Sequence, residues 1–203
     1  MALLKSFVPT TLSAVAAALL IAASPSAAQR RPADMKAMLR GWPQSAQMAA
    51  ADMMRKYGPP QEVTPTMLKW RNNGPWKYTM ISNYETPHRF PVPHPDVMEQ
   101  GIDYAVPWNM FDDLAAYDGS VTVDRTQGIL AARCDKEGAN FLALNLANDI
   151  VTKRHSVASA RGYYARAIAR FKANGQMDRY MQRLHFRPQP NSGFRDSPAP
   201  MRR

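Results

Sequence analysis

Cysteine is nearly absent from the sequence: Cys134 is the only one among 203 residues. A single thiol cannot form an intramolecular disulfide bond, so packing alone has to stabilise the fold. The same count excludes zinc sites built from several cysteines. The sequence also lacks a Walker loop, a dinucleotide-binding fingerprint, a nucleophile elbow and a His-Glu-x-x-His motif. No motif therefore indicates nucleotide binding, α/β-hydrolase chemistry or zinc-peptidase chemistry, and we predict no cofactor.

Long hydrophobic runs are also lacking. The longest, residues 14–23, has ten residues, whereas a membrane-spanning helix needs about 20. This run follows Lys5 and precedes Pro25 and the small residues Ser26-Ala27-Ala28, which is the order of regions in a cleavable signal peptide. We therefore predict that residues 1–28 are a signal peptide and are removed. The remaining chain is then expected to be periplasmic or secreted and not to span a membrane.

The net charge is +10, and much of the excess lies near the two ends of the chain. Residues 29–43 and 187–203 are rich in arginine. We predict that the first segment is a flexible lead-in and the second a disordered, basic, proline-rich tail. An exported protein rarely meets nucleic acid. We therefore expect an envelope protein or an anionic envelope surface as the partner, and no nucleic acid.

Residues 44–186 are predicted to form a single domain. Ser45 is a good N-cap for a helix that ends at Tyr57, where Gly58-Pro59-Pro60 follows. Four prolines in residues 86–95 predict an extended connector that is neither a helix nor a central strand. Alternating patterns and turn residues predict a short helix over residues 108–117 and strands over 66–71, 76–84, 101–106, 120–124 and 128–134.

The last part of this domain is predicted to be helical. Asp135 is positioned to cap a helix over residues 136–153, and Ser156 caps a second one that ends near Lys172. A short amphipathic piece follows over residues 177–184. At 100° per residue, the solvent face of the first helix carries Asn145, Asn148, Asp149 and Thr152. The predicted class is α+β, a small and mainly antiparallel sheet with helices packed against it.

Several short motifs carry a resemblance to known proteins. They are Tyr57-Gly58-Pro59-Pro60, Leu68-Lys69-Trp70, Gly74-Pro75-Trp76 and Cys134-Asp135-Lys136-Glu137. With the helix over residues 141–151, they resemble a group of bacterial exported proteins of unknown function. The first helix, the Gly-Pro break and the Trp-bearing hairpin also resemble small envelope lipoproteins of the outer-membrane assembly type, without their lipidated cysteine. Both resemblances imply an envelope location, and neither implies an activity.

Three functional hypotheses follow. The leading one is a non-enzymatic accessory or interaction module that uses a basic helical face formed by Arg161, Arg166 and Arg170. The third is an enzyme that uses Cys134, which precedes a predicted helix N-terminus, with His155 as the candidate base. A buried, inert cysteine is the alternative to that enzyme.

The second hypothesis is a small-ligand or metal site formed by His88 and His94 with the nearby acids Asp96 and Glu99. A polyproline II connector, at about 3.1 Å per residue, would hold the two histidines about 19 Å apart. A shared site therefore requires the chain to reverse between them.

Overall fold

A six-stranded antiparallel sheet forms the centre of the protein in a computed structural model, which describes residues 32–198. The strands are β1 Glu62–Val63, β2 Met67–Asn73, β3 Trp76–His88, β4 His94–Asp103, β5 Val121–Asp124 and β6 Ile129–Cys134. The helices are α1 Pro32–Leu39, α2 Gln44–Tyr57, α3 Phe111–Tyr117, α4 Glu137–Val151 and α5 Val157–Asn174. Single 3-10 turns cover Trp108–Met110 and Arg179–Met181. The strand order is β1-β2-β3-β4-β6-β5. The predicted α+β class is confirmed.

One face of the sheet carries the core, because side chains alternate between faces along each strand. Leu68 pairs with Ile81, and Ile102 with Leu130, and all four are fully buried. Helices α2 and α4 pack against strands of this sheet. The opposite face carries polar and aromatic side chains that are at least partly exposed, including Lys69, Arg71, Lys77, Tyr78 and Glu99. Within residues 32–198, no helix has the length and apolar character needed to cross a membrane.

The beginning of the described chain is more ordered than the sequence predicted. Residues 32–39 form α1, and Leu39 and Trp42 are buried against α2 and the sheet. The Trp42 indole N–H donates to the carbonyl of Pro65 at 3.2 Å. Residues 32–43 are thus placed as a helix and a packed turn, where the sequence predicted a flexible lead-in. Residues 29–31 and the predicted signal peptide, 1–28, lie outside the described residues.

Helix α2 agrees with the prediction, but its N-cap does not. Pro43 occupies the N-cap position, and the Ser45 hydroxyl instead donates to Glu85 at 2.6 Å. Ser156 does cap α5, since its hydroxyl accepts from the N–H of Ser159 at 3.2 Å. The N-cap of α4 is Lys136 rather than Asp135, and no side chain of residues 32–198 makes a capping hydrogen bond there.

The proline-rich segment is not an extended connector. Strands β3 and β4 continue into it from either side, with Pro87 opposite Pro95 and His88 opposite His94, and the chain reverses between them. Proline is tolerated because these strand ends have one neighbour each. The pairing of β3 with β2 ends at Ser82, and that of β4 with β6 begins at Met98. Beyond those points the outer side of each strand has no neighbouring strand. A proline there, which lacks a backbone N–H, therefore removes no hydrogen bond of the sheet.

Helix α4 is buried nearly all round, which differs from its predicted solvent face. Asn145, Asn148 and Asp149 are at most 5% exposed. The segment after α5 covers them. The side-chain amide of Asn145 donates to the carbonyls of Tyr180 and Arg183 at 3.0 and 2.8 Å, and its oxygen accepts from the His185 N–H at 2.7 Å. Of the four predicted residues, only Thr152 is exposed.

The last described segment, residues 187–198, lies along the turn between β5 and β6. The Gln189 N–H donates to the Asp103 carbonyl at 2.7 Å, and the Phe194 N–H donates to the Arg125 carbonyl at 3.0 Å. The Ser192 hydroxyl donates to the Gly128 carbonyl at 2.6 Å. Residues 187–198 thus contact the core through these bonds, whereas the sequence predicted a disordered tail, and residues 199–203 lie outside the described part of the chain.

Candidate metal site

Closure of the β3–β4 hairpin brings His88 and His94 together. The two residues are register partners, and their ring centroids are 4.9 Å apart in an edge-on arrangement. Asp96 follows two residues after His94, on the same face of β4. One ligand atom from each of the three side chains lies within 4.8 Å of the others. The separation of about 19 Å expected for a polyproline II connector is therefore wrong, because the chain reverses instead of extending.

The His94 ring is held between a carbonyl and a carboxylate. Its Nδ1 lies 2.8 Å from the carbonyl oxygen of Val92, which requires a proton on Nδ1. Its Nε2 lies 3.3 Å from Oδ1 of Asp96. The two atoms are close but not aligned as a hydrogen bond, and among the described residues neither has another hydrogen-bond partner although both are buried. Contacts with Asp96 and then with Cys134 raise the pKa of His94 to about 11. At neutral pH the His94 ring therefore carries a proton on both nitrogens, and a metal ion at Nε2 has to displace one of them.

His88 is held by the loop that leads into β5. Its Nε2 lies 3.4 Å from Oδ1 of Asp118, and its Nδ1 lies 3.2 Å from the Ser120 hydroxyl. Nδ1 is also 3.7 Å from Oδ2 of Asp96, to which Ser120 donates a short hydrogen bond. Burial raises the pKa of Asp118, whereas the Ser120 N–H bonded to it acts in the opposite direction.

Asp118 and Ser120 are the site residues that sequence reasoning missed. In the sequence, Asp118-Gly119 is only the end of a short helix, with no spacing that connects it to the histidines. The sole available signal was the pair of polar residues on either side of a glycine at the start of a strand. Their part in the site depends on how α3 packs against the sheet.

Glu99 is not part of the cluster, which corrects the prediction. It lies three residues from Asp96 and therefore on the opposite face of β4. There its carboxylate accepts from the Tyr78 hydroxyl at 2.5 Å and lies 4.0 Å from the Arg133 guanidinium.

Cys134 ends β6 and is 4% exposed. Burial raises the pKa of its thiol, and the neighbouring His94 opposes that effect. The structure therefore places His94, not His155, beside the thiol. His155 instead contacts the Ser159 hydroxyl at 2.9 Å and packs against Tyr163. A neutral thiol is the prevailing form at neutral pH, which does not favour nucleophilic chemistry.

The three arginines of the predicted basic face are not equivalent. The Arg161 guanidinium stacks 3.9 Å from the centre of the Phe90 ring and donates to the Tyr117 carbonyl at 2.5 Å. Arg170 forms an ion pair with Asp178 at 3.0 Å, while Arg166 is exposed. Nine residues separate Arg161 from Arg170, which places them about 180° apart around α5. The three side chains therefore do not form one free basic face.

A cavity of about 980 Å³ opens beside the histidine cluster. His94 and Cys134 lie in its wall, which is otherwise formed by the proline-rich turn between β3 and β4, Met98 of β4, α2, the start of α4, α5 and the segment after α5. The larger apolar residues of the lining include Met53, Met98, Ile168, Phe171, Met177 and Met181.

No protein-family model, curated protein or solved structure matches this chain. The chemistry of the site is therefore inferred from its own donor atoms. Two imidazoles and one carboxylate suit Zn²⁺ and the other divalent first-row ions, and three protein ligands leave at least one coordination position open.

Proposed function

We propose that this protein binds a divalent transition-metal ion, with Zn²⁺ as the matched probe, through His88, His94 and Asp96. The observation that carries the proposal is the buried pair His94 Nε2 and Asp96 Oδ1, 3.3 Å apart and without hydrogen-bond partners among the described residues. With zinc–ligand bonds of about 2.0–2.1 Å, neighbouring ligand atoms of a tetrahedral site are about 3.3 Å apart. A metal ion between the two atoms accounts for both their spacing and their alignment.

The outer contact of His94 supports this assignment. Imidazoles that bind metals usually donate their other N–H to a carbonyl or a carboxylate, which fixes the tautomer and the ring orientation. His94 makes this contact with the Val92 carbonyl, which leaves its Nε2 facing Asp96. His88 Nδ1 contacts the Ser120 hydroxyl and lies 3.7 Å from Asp96, so a metal ion at this nitrogen has to displace the Ser120 contact.

The interaction-module hypothesis stays a prediction. Arg161 and Arg170 are engaged within the chain, so Arg166 is the one of the three without a hydrogen bond or an ion pair to the described residues. Export to the envelope also stays a prediction. Together with the proposed site, export implies that the protein acquires its metal outside the cytoplasm.

Calorimetric titration of Zn²⁺ into chelator-treated protein tests the proposal. We expect one ion per chain. His94→Ala or Asp96→Asn should lower the zinc affinity by at least about 100-fold, because loss of an outer-shell partner alone typically costs 10- to 100-fold. Zinc at about 100 times its dissociation constant should also raise the melting temperature, since the bound state gains about 2.7 kcal/mol.

His185→Ala is the matched control, because His185 is an exposed histidine outside the cluster. Its zinc affinity should equal that of the unmodified protein. Asp96→Asn preserves the side-chain shape, and its melting temperature without zinc shows whether the variant is folded. Zinc binding by a folded Asp96→Asn variant and by His94→Ala that is as strong as in the unmodified protein would overturn the proposal.

A further inference from the structure

The cavity beside the metal site has a wall suited to a flexible aliphatic chain. Four methionines line it, on β4, on α2 and in the segment after α5. Unbranched thioether side chains adapt to the shape of an apolar ligand. The volume of about 980 Å³ lies at the upper end of the range typical of small-molecule sites.

His94 connects the cavity to the proposed metal ion. Of the three proposed metal ligands, it is the one that lines the cavity wall. A metal held at His94 Nε2 lies behind the cavity wall, because Nε2 is itself buried, and a donor atom from a molecule in the cavity completes the coordination once the wall at His94 has moved. Zinc together with the Asp96 carboxylate leaves one unit of positive charge, which a single anionic donor group neutralises.

The rim of the cavity adds a second charge argument. Arg55, Lys56 and Lys136 each form an ion pair with a neighbouring acid. Lys172 also lines the cavity and, within the described residues, forms no ion pair. An unpaired cation at the entrance of a pocket attracts a negatively charged molecule.

We infer that the cavity binds an aliphatic carboxylate, whose chain lies against the methionine wall and whose carboxylate completes the coordination of the metal. This inference rests on the proposed metal site. It names the class of ligand, a linear monocarboxylic acid, that the combined site recognises.

Calorimetric titration of octanoate, butyrate and octanol into the zinc-loaded protein tests the inference. Each buried methylene should strengthen binding by roughly threefold to fourfold, so octanoate should bind at least about tenfold more tightly than butyrate. Octanol has the chain without the anionic group and should bind more weakly than octanoate. Removal of zinc by a chelator should lower the octanoate affinity by at least about tenfold.

Two methionine variants separate the cavity from nonspecific apolar binding. Met177→Trp should lower octanoate affinity, because Met177 is a partly exposed residue in the cavity wall. Met48→Trp is the matched control, since Met48 is 56% exposed and does not line the cavity. Both variants should bind zinc normally. Equal octanoate affinities for the two variants would overturn the inference.

The same experiment distinguishes the two proposals. Absence of zinc binding overturns the proposed function and the inference with it. Normal zinc binding with octanoate affinity that depends neither on zinc nor on chain length overturns the inference alone. Cys134→Ala tests whether the Cys134 thiolate, rather than a bound carboxylate, fills the open coordination position of the metal. A loss of zinc affinity of about 100-fold or more would make the thiolate the fourth ligand and would also overturn the inference.

Discussion

At the scale of single residues, Gly101 shapes the exposed face of the sheet. Tyr78 is its cross-strand partner, and the Tyr78 ring lies directly over it. A Cβ on Gly101 would be 2.4 Å from Cε1 of Tyr78. Glycine within a strand often marks such a close approach. The ring is held in place because its hydroxyl donates to Glu99 and the Lys69 ammonium lies 5.5 Å from its centre.

Gly101→Ala should therefore lower the free energy of unfolding by about 1–3 kcal/mol, the usual cost of forcing an extra methyl group into a packed site. Urea denaturation measures this change. Gly119→Ala is the matched control, because a Cβ at Gly119 meets nothing within 4 Å. In a Tyr78→Ala background the cost of Gly101→Ala should largely disappear. An unchanged cost in that background would contradict the steric explanation.

At the scale of secondary-structure elements, α4 shows how a polar helix face can be internal. One of its asparagines, Asn145, satisfies backbone groups of the segment after α5, whose regular structure is a single 3-10 turn. Asn145 alone serves three backbone groups after α5, and Asn148 accepts from the Tyr104 hydroxyl at 2.9 Å. The polar residues of α4 thus attach the C-terminal segment to the core, where buried backbone groups need partners.

Asn145→Ala should lower the free energy of unfolding by at least about 2 kcal/mol, because it leaves buried donors and acceptors unpaired. Urea denaturation gives the value, and hydrogen exchange should show faster exchange of the His185 amide. The control is Asn109→Ala, at an exposed position that makes no side-chain hydrogen bond to the described residues. Equal effects of the two substitutions would contradict the attachment role.

At the scale of the whole molecule, two buried clusters share one sheet. One lies under α1 and α2 with β2, and the other lies between β6, α4 and α5. Residues 187–198 close the far edge of the second cluster along the β5–β6 turn. The fit is close, since a Cβ on Gly128 would lie 2.2 Å from the Ser192 backbone.

A chain that ends at Phe186 should therefore be less stable by about 2–4 kcal/mol, because it loses five hydrogen bonds that are mostly exposed or part-buried and therefore lie toward the lower end of the usual range of about 0.5–1.5 kcal/mol each. Thermal and urea unfolding measure the difference. A chain that ends at Pro198 keeps all five bonds and is the control. If both shortened chains unfold like the complete protein, the C-terminal segment does not contribute to stability.

The sequence by itself determined the local elements and their ends. Helix α2 ends before Gly58 and Ser156 caps α5, as predicted, and the predicted strands over 120–124 and 128–134 pair as β5 and β6, with β6 starting one residue later than predicted. Each of these features depends on a few neighbouring residues, through backbone conformation, capping and alternation of side chains. Such signals can be read from the chain without knowledge of its partners in space.

Only the tertiary structure decided the candidate site. His88 and His94 meet because a proline-rich segment reverses and pairs with itself, and Asp118 and Ser120 reach them from a loop more than twenty residues away along the chain. The burial of Asn145 and the packing of residues 187–198 have the same origin. These contacts join residues whose sequence separation carries no periodic signal, and their stability comes from burial and hydrogen bonding that exist only after the layers have packed.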